Sequence, residues 1–247
     1  MKFIVPYYNQ KIDPGYDFFN EKHSLQYLKD KKNGVAYPWN IIPDYIDGFL
    51  FSIGILKPEE MKNIIARGGL RKAMKIPEKI EIFGDCGAFQ YRYEPEPPFT
   101  TKQVMELYKG LGVDYGITLD HIPFFGEPEK RLQITYNNAV EMYNMWKNGD
   151  YKFTLLAAVH GIDADSYLKN FDKMYRIGYR HFAIGSLARR QTKEIEHILK
   201  KFAEFLKRYH DIERLHILGF GRISFFPLLK EIERHVKVLS FDSTVAG

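Results

Sequence analysis

Cysteine is almost absent from this chain of 247 residues, which contains Cys86 alone. One cysteine excludes an intrachain disulfide framework and a cysteine-rich zinc cluster, and it indicates a reducing, cytoplasmic compartment. No apolar run approaches the roughly 20 residues that span a bilayer, so no membrane partner is expected. The first ten residues carry no signal-peptide pattern.

Low-complexity linkers and long runs of one charge sign are also missing. The 36 basic and 31 acidic side chains leave a net charge of +5, which permits a phosphate-bearing partner without requiring one. A hydrophobic content of 45% excludes a disordered chain. We therefore expect one domain over residues 1–247, with additional N-terminal structure over residues 13–47.

Short apolar runs alternate with stretches of helical period. Helices are predicted from Pro58, over Arg131–Lys147 and over Gln191–Tyr209. The runs lack strict alternation, as is typical of strands covered on both faces of a parallel sheet. The predicted strands are Phe3–Tyr7, Gly48–Gly54, Lys79–Phe83, Asp114–Leu119, Phe153–Val159, His181–Ile184, Arg214–Leu218 and Val236–Phe241.

Eight strands alternating with helices predict an α/β fold of the (β/α)8 TIM-barrel type, and an open doubly wound sheet is the alternative. Only about six residues follow the eighth strand. We expect the eighth helix to be absent from this chain, so that either the barrel is left open there or the chain stops short of a longer parent. A partner subunit, such as the second copy of a homodimer, or an N-terminal segment would cover the gap.

The carboxyl ends of barrel strands converge on one mouth, where the chemistry of this architecture occurs. Three carboxylates at such ends, accompanied by glycines, indicate a functional site rather than ordinary turn residues. The polar and glycine residues at the ends of strands three to eight are Asp85, Asp120, His160, Gly185, Ser186, Gly219, Gly221 and Asp242.

Carboxylates at one mouth support two kinds of chemistry. One carboxylate can attack an electrophilic carbon while another transfers protons, as in glycosyl transfer through a covalent intermediate. Alternatively, the three aspartates with His121 and His160 bind a divalent metal in a hydrolase, although no His-x-His motif follows an early strand. A non-catalytic nucleic-acid-binding module is a third hypothesis.

Six collinear segments resemble the tRNA-guanine transglycosylases. The first, Phe83–Gln90, is similar to the family's Asp-Ser-Gly-Gly-Phe/Tyr-Gln signature. The opening residues Phe3–Pro6 and Asp13–Phe18 resemble the branch that inserts 7-deazaguanines into DNA. The remaining segments are Gly116–Asp120, Ala158–Gly161, Phe182–Ala188, His216–Gly221 and Ser240–Thr244.

The resemblance implies catalytic roles for two aspartates. Asp242 would attack C1′ of the target nucleotide, expel guanine and form a covalent glycosyl-enzyme. Asp85 would be the general acid/base that takes the proton from N9 of the incoming base. No cofactor is implied. The family's zinc-binding subdomain, three cysteines and a histidine after strand eight, is expected to be absent from this chain.

The resemblance also implies a binding site for a 7-deazaguanine base. Asp120 would bind the guanine-like edge of the base. The carbonyl oxygen of the base would bind to the backbone of Gly185, Ser186 and Leu187. The ring would lie between Phe89 and Leu218. This chain has Cys86, His160 and Ser186 where the family has serine, glutamine and glycine. The implied substrate-contact set is Asp120, Phe89, Cys86, His160, Gly185, Ser186, Leu187, Leu218 and Gly219.

A nucleic-acid partner requires cations near the mouth. Arg189, Arg190 and Lys193 follow the strand-six loop, and Arg222 follows strand seven, where they are predicted to contact phosphates. The target base has to leave its stack to enter a barrel mouth. The expected polymer is DNA, slightly ahead of tRNA.

Overall fold

The sheet is a closed barrel of parallel strands in chain order. The structure is a computed structural model that describes residues 1–8, 12–29, 36–188 and 190–243. β1 pairs with β2 on one side and with β8 on the other, so the (β/α)8 prediction is confirmed and the open sheet is wrong. The strands are β1 (Lys2–Pro6), β2 (Gly48–Ser52), β3 (Glu81–Asp85), β4 (Tyr115–Ile117), β5 (Thr154–Val159), β6 (His181–Ile184), β7 (Arg214–Ile217) and β8 (Val238–Asp242).

Helices lie between successive strands of the described chain. Two 3₁₀ turns, Pro123–Phe125 and Ile223–Phe225, lie in the loops after β4 and β7. The helices are α1 (Leu25–Lys29), α2 (Pro38–Ile41), α3 (Pro58–Ala66), α4 (Leu70–Met74), α5 (Thr101–Leu111), α6 (Pro128–Asn148), α7 (Ala164–Ile177), α8 (Thr192–Leu206) and α9 (Phe226–Glu233).

The element boundaries differ from the predicted ones by a few residues. β3 begins at Glu81, two residues later than predicted, because the Ile80 amide closes a turn on the Pro77 carbonyl. β3 also ends two residues later than predicted, at Asp85. Helix α6 begins at Pro128, before the predicted start, because the fixed φ of proline suits the first helical position.

Two apolar cores support the barrel. The outer core lies between the sheet and the helices and includes the predicted stripe of α8, for example Ile195 and Phe202. The inner core fills the barrel, so the interior is packed rather than open. Its buried members are Ile4, Leu50, Phe83, Ile117, Leu156, Ala158 and Ala183. This packing fixes the strand ends that form the mouth.

The connection between β1 and β2 contains α1, α2 and the two antiparallel bridges Ile12–Ala36 and Asp17–Lys22. In the part of the chain that the structure describes, no helix is long and apolar enough to cross a membrane. The prediction that an eighth helix and a zinc-binding subdomain are missing bears on residues 244–247, which lie outside the described residues.

Candidate active site

The strand ends surround a cavity of about 530 Å³, a size typical of small-molecule sites. The walls are mainly apolar, and three carboxylates interrupt them. The predicted site residues that line this cavity are Asp85, Phe89, Asp120, His160, Gly185, Ser186, Leu218, Gly219 and Asp242. The fold therefore brings together side chains that lie up to 157 positions apart, the separation of Asp85 and Asp242.

The first of the three carboxylates is Asp85. It ends β3, and its Oδ2 accepts a hydrogen bond of 2.9 Å from the Gly87 amide. Burial raises the pKa of Asp85 to about 7, and the charges of Asp120 and Asp242 contribute to the same shift. A carboxyl group with this pKa can both donate and accept a proton near neutral pH.

Asp120 is buried and held by two side chains. The Cys86 thiol donates to Oδ1 over 2.7 Å, and His160 Nε2 lies 2.6 Å from Oδ2. The Tyr91 hydroxyl donates to the backbone carbonyl of Asp120 over 2.9 Å. These contacts fix the carboxylate at the cavity wall, since each of its oxygens has a defined partner.

His160 connects Asp120 to the loop after β6. Its Nδ1 lies 2.5 Å from the Ser186 hydroxyl, so both ring nitrogens are engaged. Gly185 leaves the room for this ring, because a Cβ there would lie 2.4 Å from His160 Cε1. Ser186 has a φ of 65°, in the left-handed region that disfavours a side chain. The backbone of Ser186 is therefore strained at the residue whose hydroxyl contacts His160.

We expect Ser186→Gly to be more stable than Ser186→Ala by about 1 kcal/mol. Both changes remove the hydroxyl that contacts His160, and only alanine retains the left-handed strain. Urea unfolding measures the difference. The matched pair at exposed Lys169 in α7 should give the opposite order, because alanine is favoured within helices. An alanine variant at 186 as stable as the glycine variant would contradict the strain.

Asp242 ends β8 and its carboxylate is held on one side. Oδ1 accepts hydrogen bonds from the Gly219 amide over 2.8 Å and lies 3.1 Å from His216 Nε2. The Phe220 amide donates to the Asp242 carbonyl over 2.6 Å. Among the described residues, no hydrogen bond reaches Oδ2. One oxygen is therefore left for a reacting group in the cavity.

Aromatic and aliphatic side chains form the cavity walls. Phe89 is 41% exposed, and the Arg92 guanidinium lies 4.1 Å from the centroid of its ring. Leu218, which directly follows β7, also lines the cavity, as do Phe124 and Phe125 of the 3₁₀ turn after β4. Such walls suit a flat, apolar-faced ring.

The first two strands also contribute to the cavity, through residues that the sequence did not predict. Tyr7 and Tyr8 follow β1, Ser52 ends β2, and all three line the cavity. The Ser52 hydroxyl is buried beside Asp85, and it lowers the pKa of that carboxyl against the larger effect of burial. The signal was available, because a closed barrel brings the ends of all eight strands to the mouth, and these two ends carry polar groups without a carboxylate.

Two predicted contact residues do not line the cavity. Cys86 lies behind Asp120, and burial raises the pKa of its thiol, which argues against a thiolate nucleophile. The Leu187 side chain is fully buried in the outer core. A contact between Leu187 and a ligand would therefore involve its backbone.

The predicted cations have different environments. Arg189 lies outside the described residues. Arg190 Nη2 donates to the carbonyls of Gly161 and Ile162 over 2.8 and 2.7 Å, which ties it to the loop after β5. Arg222 donates to the Ala188 carbonyl over 3.2 Å, and Lys193 is exposed in the first turn of α8. Lys193 thus keeps its ammonium most available for a phosphate.

Of the ligands that the metal hypothesis names, Asp85, Asp120, His160 and Asp242 line the cavity. His121 does not line the cavity: its Nε2 contacts the Glu94 carbonyl at 3.0 Å and its Nδ1 contacts Arg131 at 3.2 Å. Potential ligand atoms of Asp85, Cys86 and Asp120 lie within 4.8 Å of one another. The Cys86 thiol of that group donates a hydrogen bond to Asp120.

Fold and site define the chain as a (β/α)8-barrel protein with a carboxylate-lined cavity at its C-terminal mouth. No family model matches the chain. A curated DNA-guanine transglycosylase of Salmonella montevideo is similar to it, with 27% identity over an alignment 267 positions long. The alignment covers 99% of this chain and 61% of that protein. This similarity along nearly the whole chain confirms the resemblance to the transglycosylase superfamily.

Proposed function

We propose that this protein is a base-exchange glycosyltransferase that replaces guanine in DNA with a 7-deazaguanine. The observation that carries the proposal is the single cavity with Asp85, Asp120 and Asp242 in three different environments. One has a raised pKa, one is paired with an imidazole and a thiol, and one has an oxygen without a hydrogen-bond donor among the described residues. Different environments assign different roles to chemically identical groups. The name of the curated relative supports the same reaction.

In the first half-reaction, Asp242 Oδ2 attacks C1′ of the target deoxyguanosine. The bond between C1′ and Oδ2 forms as the bond between C1′ and N9 breaks. Protonated Asp85 supplies the proton that departing guanine takes up, so guanine leaves as a neutral base. The product is a covalent glycosyl-enzyme with Asp85 as a carboxylate.

The second half-reaction reverses these roles with a new base. The Asp85 carboxylate accepts the N9 proton of the 7-deazaguanine, and N9 attacks C1′. The Asp242 ester breaks, which restores the Asp242 carboxylate and protonated Asp85. A pKa of about 7 suits both steps, because the group has to change its protonation state twice in each cycle.

The same cavity offers the contacts that hold the base. Asp120 would accept hydrogen bonds from the donors of the guanine-like edge, and its position is fixed by Cys86 and His160. The backbone from Gly185 to Leu187 would contact the carbonyl oxygen. Phe89 and Leu218 would cover the two faces of the ring.

The polymer would approach the rim, and the target base would leave its stack to enter the cavity. Lys193, Arg222 and Arg190 would contact phosphates, and so would Arg189, which lies outside the described residues. Phosphate contacts position a nucleic acid without reading its sequence, so the rim does not by itself separate DNA from tRNA.

The test is incorporation of labelled guanine and labelled 7-deazaguanine into duplex DNA and into tRNA. We expect incorporation into DNA together with a denaturation-resistant protein–DNA adduct. Incorporation into tRNA alone would contradict the choice of polymer. Salt-dependent binding to either polymer without exchange or adduct would contradict the enzyme proposal and favour a non-catalytic binding module.

A further inference from the structure

Polar side chains continue below the mouth into the barrel interior. Arg214 and His216 alternate on β7, and Ser240 and Asp242 alternate on the neighbouring β8. All four are at least 95% buried, and His216 and Ser240 are completely buried. Four buried polar groups on two adjacent strands require mutual hydrogen bonds, because an unpaired one would be costly.

The hydrogen bonds form one chain towards Asp242. Arg214 Nη1 lies 3.4 Å from Ser240 Oγ, Ser240 Oγ lies 3.0 Å from His216 Nδ1, and His216 Nε2 lies 3.1 Å from Asp242 Oδ1. The lower end is fixed, since Arg214 Nη2 donates to Glu81 over 2.8 Å. Lys2 donates to the same Glu81 oxygen over 2.7 Å.

The donor and acceptor properties of these groups determine the direction of each hydrogen bond in this series. The Arg214 guanidinium can only donate and the Asp242 carboxylate can only accept, so Ser240 Oγ accepts from Arg214 and His216 Nε2 donates to Asp242. In a neutral imidazole Nδ1 is then an acceptor, and the Ser240 hydroxyl donates its proton to it. With Nδ1 as the acceptor, the imidazole proton lies on Nε2 and is donated to Asp242. The opposite tautomer would place a bare nitrogen lone pair 3.1 Å from a carboxylate oxygen.

We infer that His216 is a positioning residue that selects the attacking oxygen of Asp242. Together with the Gly219 amide, it places two donors on Oδ1 and fixes the plane of the carboxylate. Oδ2, which accepts no hydrogen bond from the described residues, is then the oxygen that faces the sugar. The inference rests on the proposed function, because it assigns a role relative to the nucleophile.

His216→Phe and His216→Gln form the decisive pair. Phenylalanine retains a planar ring beside Phe83, whose centroid lies 5.1 Å from the imidazole, but it removes the donor. Glutamine has an amide nitrogen at about the reach of Nε2 and retains a donor. Since misplacing a reacting group by about 1 Å costs roughly 100-fold, we expect His216→Phe to slow formation of the covalent adduct about 100-fold. The Kd for DNA should change less than about twofold. The His216→Gln variant should form the adduct roughly tenfold faster than His216→Phe.

A second measurement reads the tautomer independently of activity. NMR of the protein labelled with ¹⁵N-histidine, assigned by the signal lost in His216→Phe, should show the His216 proton on Nε2. Ser240→Ala should weaken this preference, because Nδ1 loses its donor. A proton on Nδ1 in the wild-type protein would overturn the directed chain.

The outcomes separate the inference from the proposed function. Wild-type protein that forms no adduct with any nucleic acid contradicts the proposed function and, with it, the role of Asp242. Wild-type adduct formation that His216→Phe leaves unchanged overturns the inference alone. Equal losses in His216→Phe and His216→Gln, with unchanged melting temperatures, would also overturn it, because the donor would then not be the group that matters.

Discussion

Asp242→Asn is expected to lower the rate of base exchange by about 10⁴- to 10⁶-fold, the range seen when a covalent nucleophile is removed. Asparagine matches aspartate in shape, and its Oδ1 can still accept the hydrogen bonds from His216 and Gly219. Its amide nitrogen cannot form the glycosyl ester. The covalent adduct should therefore disappear, while the affinity for DNA is retained.

The comparison needs a variant with the same chemical change away from the mouth. Asp150 is exposed in the turn between α6 and β5, which is at the opposite end of the barrel. Asp150→Asn should exchange base at the wild-type rate. The measurement is single-turnover exchange with labelled guanine, with denaturing gels for the adduct. Exchange that persists at more than about 1% in Asp242→Asn would remove the proposed mechanism.

Asp85→Asn should lower exchange by about 10²- to 10⁴-fold and flatten its pH dependence. In the wild-type protein, adduct formation needs protonated Asp85 and should slow as the pH rises through about 7. Resolution of the adduct by the incoming base needs the Asp85 carboxylate and should accelerate over the same range. The two half-reactions therefore have opposite pH dependences, which single-turnover rates between pH 5.5 and 8.5 would measure (a window of about 1.5 units on each side of that pKa).

Both slopes should vanish in Asp85→Asn, because asparagine does not titrate. Asp150→Asn should keep both. A variant at 85 that retains the wild-type slopes would assign the titration to another group and contradict the role of Asp85.

The same substitution should affect stability with a defined sign. Burial raises the folded-state pKa of Asp85 to about 7 from an ordinary value of 3.8, so the folded state binds more protons than the unfolded state between these values. The contribution of Asp85 to the stability of the wild-type protein therefore becomes less favourable as the pH rises from 4 to 7. Asp85→Asn should be more stable by on the order of 2 kcal/mol at pH 8 and gain little near pH 4. Urea unfolding at both pH values measures this, and a gain independent of pH would contradict it.

Strand and helix pattern predicted the barrel because a parallel sheet covered on both faces leaves continuous apolar runs in the sequence. The boundary of β3 was predicted two residues early, and the turn at Pro77 accounts for the difference. Asp85, Asp120 and Asp242 could be selected because a carboxylate directly after an apolar run lies at the mouth of any such barrel. Ser52 could not be predicted as a cavity residue, because serine at a strand end is also an ordinary turn residue.

His216 and Ser240 lie inside strands, where alternation with apolar neighbours does not show which face they occupy. The hydrogen bonds of Arg190 could not be predicted from the sequence either, because only the folded loops place the carbonyls of Gly161 and Ile162 beside its guanidinium. The sequence alone determined the order of strands and helices, the three carboxylates at strand ends and the resemblance to the transglycosylases, since these depend on local pattern. The tertiary structure alone decided which groups hydrogen-bond to each carboxylate, and hence their different environments, because those partners come from distant strands that meet only when the barrel closes.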